Sequence, residues 1–290
     1  MKFSPILALA ASALISSCSS SENQTEENSE IESSIPTLIQ LWETDTTLIT
    51  PESVIYDKAH DVYYVSCMGA NPSGEFDGNG YIAKLALDGE IIDSKWVTDL
   101  NDPKGLALVG NTLYATDLNK VVTINTETGE ASSEVIDGAE YLNDAASAPN
   151  GDLIFTDTNL NTIFIKSGDE TSAIFTDSTF QRLNGVYHEA NRYLLAGFGS
   201  GKLFTLEGNT LTTVADGMNT ADGIEAIGDG YFISCWDGHL YYLDSEWNKT
   251  LINDTSADKI GAADIDFIAD GKVLVVPTFF GNKVVAYGVD

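Results

Sequence analysis

The chain reads as an all-β protein, a six-bladed β-propeller closed by an N-terminal strand. Three observations predict it. Short apolar or alternating stretches recur from about residue 36 onward, punctuated by Gly, Asn and Asp, with no competing helical period. A dipeptide opens each unit: Glu52-Ser53, Lys104-Gly105, Asn143-Asp144, Asn184-Gly185, Asp222-Gly223 and Ala263-Asp264. After the first step these openings recur about every 40 residues, the length of a propeller blade. Finally, the last unit stops after its third strand, while Leu38-Ile39-Gln40-Leu41-Trp42 stands before the first. That stretch can supply the missing outer strand, so that no sheet edge stays unpaired.

The N-terminus comes first. Lys2 gives a basic start, and Ile6 to Ile15 is an apolar run of about ten residues, too short to span a bilayer and of signal-peptide length. Ile15-Ser16-Ser17-Cys18 follows and resembles the bacterial lipobox, which implies cleavage before Cys18 and lipid attachment there. Residues 1–17 are thus expected to be a lipoprotein signal peptide, and residues 18–35, rich in Ser, Glu, Asn and Thr, an acidic disordered tether. The protein is expected on a bacterial membrane, periplasmic or at the cell surface, touching it only through the anchor.

Residues 36–290 form the propeller. The first strand of each unit opens at the dipeptide. The second ends, about a dozen residues on, at Cys67, Asp117, Asp157, Gly197, Cys235 and Pro277. Third strands follow, such as Gly80-Tyr81-Ile82-Ala83 and Lys283-Val284-Val285-Ala286, and a more polar fourth strand closes most units. Four antiparallel strands make a blade. In that architecture first-strand starts and second-strand ends gather at one mouth of the central channel. Met68 to Gly80, the longest insertion, falls on that side and reads as a flexible loop over it.

Composition limits what the mouth can bind. The chain has 44 acidic against 14 basic residues and a net charge of −30, which excludes nucleic acid as a partner. Three cysteines do not make a disulfide scaffold, and Cys67 and Cys235, in different blades, read as buried thiols. The openings themselves are uneven: Glu52, Lys104, Asn143, Asn184 and Asp222, with no His or Cys among them. Carboxylate and amide oxygens suit a hard divalent cation such as Ca²⁺, Mg²⁺ or Mn²⁺. Taken one at a time, Asn-Gly and Asp-Gly are ordinary turn pairs; as a ring in register with a glutamate they point to a metal.

Pro51-Glu52-Ser53-Val54-Ile55-Tyr56-Asp57, Leu142-Asn143-Asp144, Leu183-Asn184-Gly185 and Ala221-Asp222-Gly223 stand in order along the chain, with Gly151–Asp157 and Ala263-Asp264-Ile265 in support. This series resembles the gluconolactonase, senescence-marker-protein and regucalcin family of six-bladed propellers, over nearly the whole globular part. The resemblance implies a divalent metal, most often calcium and with Zn²⁺ a further alternative, on Glu52, Asn184 and Asp222, with Asn143 close to metal and substrate. It also implies hydrolysis of a lactone or related cyclic ester. Asp222 is the family-suggested base; Asp144 or Asp264 are alternatives, and Lys104 or Arg182 can steady alkoxide charge. Lactonases of that family often carry a sugar-holding arginine two residues before the third-blade asparagine; here Tyr141 stands there, leaving Arg182 and Lys104 as the cations near a small-molecule substrate. Trp236, Phe198 and Phe279 either wall that substrate or cap the blades. The competing reading is a non-catalytic binding propeller with a structural calcium.

Overall fold

The computed structural model describes residues 35–70, 72, 74–189 and 191–290. The expected signal peptide, Cys18 and all of the tether except Ile35 lie outside the described residues. Those described form six four-stranded antiparallel sheets. Blade 1 comprises Pro51–Asp57, Val62–Cys67, Gly80–Ala86 and Ile91–Leu100, from the axis outward. Blades 2 to 5 repeat the order with inner strands Pro103–Val109, Leu142–Ser147, Leu183–Glu189 and Ala221–Ile227.

Second strands read as unbroken apolar runs because both of their faces are buried. Alternate side chains enter different cores. In blade 1, Tyr63, Val65 and Cys67 pack with Val275, Val284 and Ala286 of blade 6. Their neighbours Val62 and Tyr64 pack with Leu106, Leu113 and Val122 of blade 2. The same division recurs around the ring, so that a separate apolar core lies between each pair of adjacent blades. Outer strands have no such neighbour on their far edge, and Ala131–Val135 is exposed at every position.

The ring closes as the sequence predicts. Blade 6 takes Asp266–Ile268, Val273–Pro277 and Val284–Val289 from the C-terminus, and Leu38–Glu43 pairs antiparallel with the last of these as its outermost strand. Thr37 and Asp290 exchange backbone hydrogen bonds of 3.1 Å in both directions. Trp42 fastens this strand to blade 1 through Tyr63, at a ring separation of 5.9 Å. Cys67 and Cys235 are buried free thiols.

Candidate functional site

Five of the six opening residues sit where their strand slips register. Pro51 pairs with Cys67, Pro103 with Asp117, Leu142 with Asp157, Leu183 with Gly197 and Ala221 with Cys235, and the ladder shifts immediately afterwards. Glu52, Lys104, Asn143, Asn184 and Asp222 therefore all lie in bulges, which turn a side chain out of the sheet's regular alternation. Hydroxyl groups secure these bulges. Thr156 Oγ1 accepts the Asp144 N–H at 3.0 Å and donates to the Asn184 carbonyl of the next blade at 2.7 Å. Ser234 Oγ does the same with the Gly223 N–H at 2.8 Å and the Ala263 carbonyl at 2.6 Å. Thr116 Oγ1 donates to the Asn143 carbonyl. The backbone under the site is thus fixed from blade to blade.

The turned-out side chains meet in one cavity of about 250 Å³, lined by Glu52, Lys104, Asn143, Asn184 and Asp222 with Met68, Pro72, Tyr141, Thr158, Arg182, Phe198, Trp236 and Phe279. Glu52, Asn184 and Asp222 are 5%, 3% and 2% exposed. Glu52 Oε2 and Asn184 Oδ1 are buried and accept no hydrogen bond. Burial, and then the neighbouring Asp264, push the Glu52 carboxyl up to about 8. Burial and the Glu52 charge hold Asp222 well above the usual carboxylate range. Lys104 is buried too; desolvation lowers its proton affinity while Glu52 and Asp102 raise it. Its Nζ donates to the Asp102 carbonyl at 3.0 Å and lies 4.2 Å from the Tyr141 ring centroid.

This donor set fits a hard cation. Two orphaned buried oxygens, from a carboxylate and an amide, are what such an ion satisfies, and a second carboxylate adds charge to match. Asn143 commits its Nδ2 to Thr158 Oγ1 at 2.9 Å, which turns its chemistry toward the remaining oxygen. Among the described residues no three His, Cys, Asp or Glu side chains cluster as a metal cage. An ion here would rest on two carboxylates and asparagine oxygens.

Two candidate bases take another position. Asp144 and Asp264 line a second cavity of about 230 Å³ with Glu225, Asp266 and His188, not the cavity of Glu52. Asp144 is held by the N–H groups of Ala145 and Val186, both at 2.6 Å, and Asp264 accepts from Ser53 Oγ at 2.6 Å. Arg182 and Trp236 lie on the wall of the first cavity. Asp117 and Asp157, read as strand ends, are loop anchors: Asp117 accepts the N–H groups of Asn101 and Asp102, and Asp157 those of Glu140 and Tyr141. Thr158 in the cavity wall escaped the sequence reading, although it directly follows a second-strand end, while Met68 and Pro72 come from the loop expected over the mouth.

No family model matches this sequence, and no curated protein matches it. Solved structures of similar fold do. Streptogramin B lyase is 11% identical over 88% of this chain and 98% of its own, with a TM-score of 0.64. Virginiamycin B lyase from Staphylococcus aureus is 12% identical over 88% and 99%, with a TM-score of 0.62. A chain of the nidogen/laminin complex is 16% identical over 75% and 84%, with a TM-score of 0.62. At these identities the likeness is one of fold.

Proposed function

We propose that the protein hydrolyses a lactone or related cyclic ester at this mouth. Glu52, Asn184, Asp222 and Asn143 would hold a divalent cation, with calcium the expected ion. The observation that carries the reading is the pair of unpartnered buried oxygens, Glu52 Oε2 and Asn184 Oδ1, in one cavity with Asp222. The resemblance to gluconolactonases supports it. When bound, such an ion supplies a Lewis acid for an ester carbonyl and for water.

The chain's own groups do the rest. Asp222, a carboxylate of the same cavity, is the candidate acceptor of the attacking water's proton. Lys104 is the ammonium placed to steady developing negative charge. Tyr141, Phe198, Trp236 and Phe279 give the same cavity an aromatic lining. The similar S. aureus lyase is known as a catalytically inactive variant with alanine in place of a histidine. Here His60 bonds Asp57, His239 bonds Asp237 and His188 lines the second cavity, so among the described residues no histidine lines the mouth. The lipobox-like Ile15–Cys18 supports an anchored, periplasmic or cell-surface location.

The test is hydrolysis of a lactone panel by purified protein, with and without chelator, beside thermal unfolding in calcium. Chelator is expected to abolish turnover and calcium to restore it. Calcium is expected to raise Tm in the native chain but not in Glu52→Gln or Asp222→Asn. A metal-loaded protein that cleaves no lactone overturns the reading. The depth of the ligand set favours one second reading, a structural ion beneath a binding site; a calcium-dependent Tm without turnover selects it.

A further inference from the structure

We infer that the mouth takes an amphipathic organic anion, an aromatic or bulky apolar group joined to a carboxylate, in preference to a polyhydroxylated sugar. As a statement about the substrate it rests on the cyclic-ester reading; as a statement about binding it does not. One side of the cavity is an aromatic wall. Trp236 stands edge-on to Phe198 at 5.9 Å, to Phe279 at 4.7 Å and to Phe280 at 4.6 Å. Met68 packs beneath Phe279 and Trp236. Mutual edge-to-face contacts fix these rings as a rigid apolar surface. Phe280 continues it outward, 55% exposed.

The opposite side offers little to a sugar. Sugar hydroxyls require donors and acceptors within reach, and the oxygens without partners here, Glu52 Oε2 and Asn184 Oδ1, are buried. Asn143 Nδ2 donates to Thr158 Oγ1, and Thr158 Oγ1 donates to the Leu183 carbonyl at 2.7 Å. Lys104 bonds the Asp102 carbonyl beneath the Tyr141 ring. Glu52, Asn184 and Asp222 lie on the buried floor.

Arg182 is the exception. Arg182 lines the cavity, and its guanidinium lies 4.9 Å from the Phe198 ring centroid. In a chain with 44 acidic residues and only two arginines, the other arginine, Arg192, is paired with Glu189. Arg182 has no carboxylate within ion-pair reach among the described residues. Its backbone is braced, because Asn161 Oδ1 accepts the N–H groups of Arg182 at 2.6 Å and of Leu183 at 3.1 Å. A stacked guanidinium with unused donors matches a carboxylate in the plane of its fork. The carboxylates on the floor repel an anion, so the ligand's charge belongs at the rim, on Arg182, and its apolar body against Trp236.

The experiment is calorimetric binding of 3-phenylpropionate, 3-phenylpropan-1-ol and gluconate to the purified full chain, in calcium and in chelator. The acid is expected to bind about tenfold more tightly than the alcohol, as a charge-assisted bidentate contact gives, and gluconate more weakly than either. Arg182→Gln, at an exposed side chain, should remove the preference for acid over alcohol and spare the alcohol. Trp236→Ala should weaken both aromatic probes. The inference is overturned if gluconate binds as well as phenylpropionate, if no phenylpropionate binds at millimolar concentration, or if Arg182→Gln leaves the acid-to-alcohol ratio unchanged. Selective binding without any lactone hydrolysis would sink the proposed reaction alone. Gluconolactone turnover without phenylpropionate binding would sink this inference alone.

Discussion

Gly185 shows how single residues set the site. A Cβ on Gly185 would lie 1.9 Å from the carbonyl oxygen of Asp222, in the next blade. One on Gly105 would meet Asp144 Cα and Ala145 N at 2.5 Å, and one on Gly223 Ile265 N at 2.6 Å. These glycines follow the site residues because inner strands converge on the axis, not because the chain turns there. Gly185→Ala is therefore expected to displace the Asp222 backbone and cost about 1–3 kcal/mol or more, as overpacking does. In a domain of this size that lowers Tm by about 2–4 °C per kcal/mol. Gly271→Ala, whose Cβ would meet only a Val273 methyl at 3.5 Å, is the control expected to stay near the native Tm. Equal unfolding temperatures for the two variants would contradict the argument. The same geometry explains which site residues were legible. Glu52, Asn184 and Asp222 could be assigned to one mouth because each opens its unit and the opening position turns there. Asp144 is the second residue of its pair. It stands where three other units carry glycine, and its side chain reaches the Val186 N–H of the next blade. A one-dimensional reading gives both members of a pair equal standing, and only the bulge separates them.

At the scale of the element, inner and second strands were legible because apolar side chains fill cores on both of their faces. Fourth strands were legible only as a more polar stretch closing most units, without bounds: Ala131–Val135 and Glu170–Thr176 carry mostly exposed residues and no alternation to read. Their pairing follows from the third strands beside them. The closing strand was legible from the arithmetic of the ring, since five units have four strands and the sixth lacks one. Trp42 makes that closure specific. It packs on Tyr63 and covers Gly89, where an added Cβ would lie 2.5 Å from the indole. Fully buried Trp→Ala changes cost about 3–5 kcal/mol, and this half-buried Trp42 should cost about 2. Trp42→Ala is therefore expected to lower Tm by about 4–8 °C. Limited proteolysis should cut the variant first within residues 38–43, at the freed edge. An unchanged cleavage pattern and Tm would mean that the backbone pairing with Val284–Val289 suffices alone.

For the molecule as a whole, the axis is a column of carboxylates inside an already acidic protein. Glu52 and Asp222 stand at one cavity, and Asp144, Glu225, Asp264 and Asp266 at the other. Burial raises every one of them: Glu52 to about 8, Asp144 to about 7 and Asp266 to about 6, with Asp222, Glu225 and Asp264 also well above the ordinary carboxylate range. An unfolded chain releases these protons near pH 4. Between that point and the folded values the native state holds more protons than the unfolded one, so stability falls as pH rises. Surface carboxylates such as Asp244, Asp254 and Asp270 are shifted the other way by their hydrogen bonds, and what they contribute is lost only below about pH 4. Thermal unfolding in chelator should thus show Tm highest near about pH 4 and declining to pH 8. Repulsion among surface charges has the same sign, but salt screens it and leaves buried groups largely untouched. The decline should therefore persist in molar salt. A flat or rising Tm over that interval would mean that the axial carboxylates are solvated enough to ionise freely. Calcium carries the distinction further: if the ion neutralises Glu52 and Asp222, it should raise Tm more at pH 8, where it relieves charge, than at pH 5, where it must displace protons.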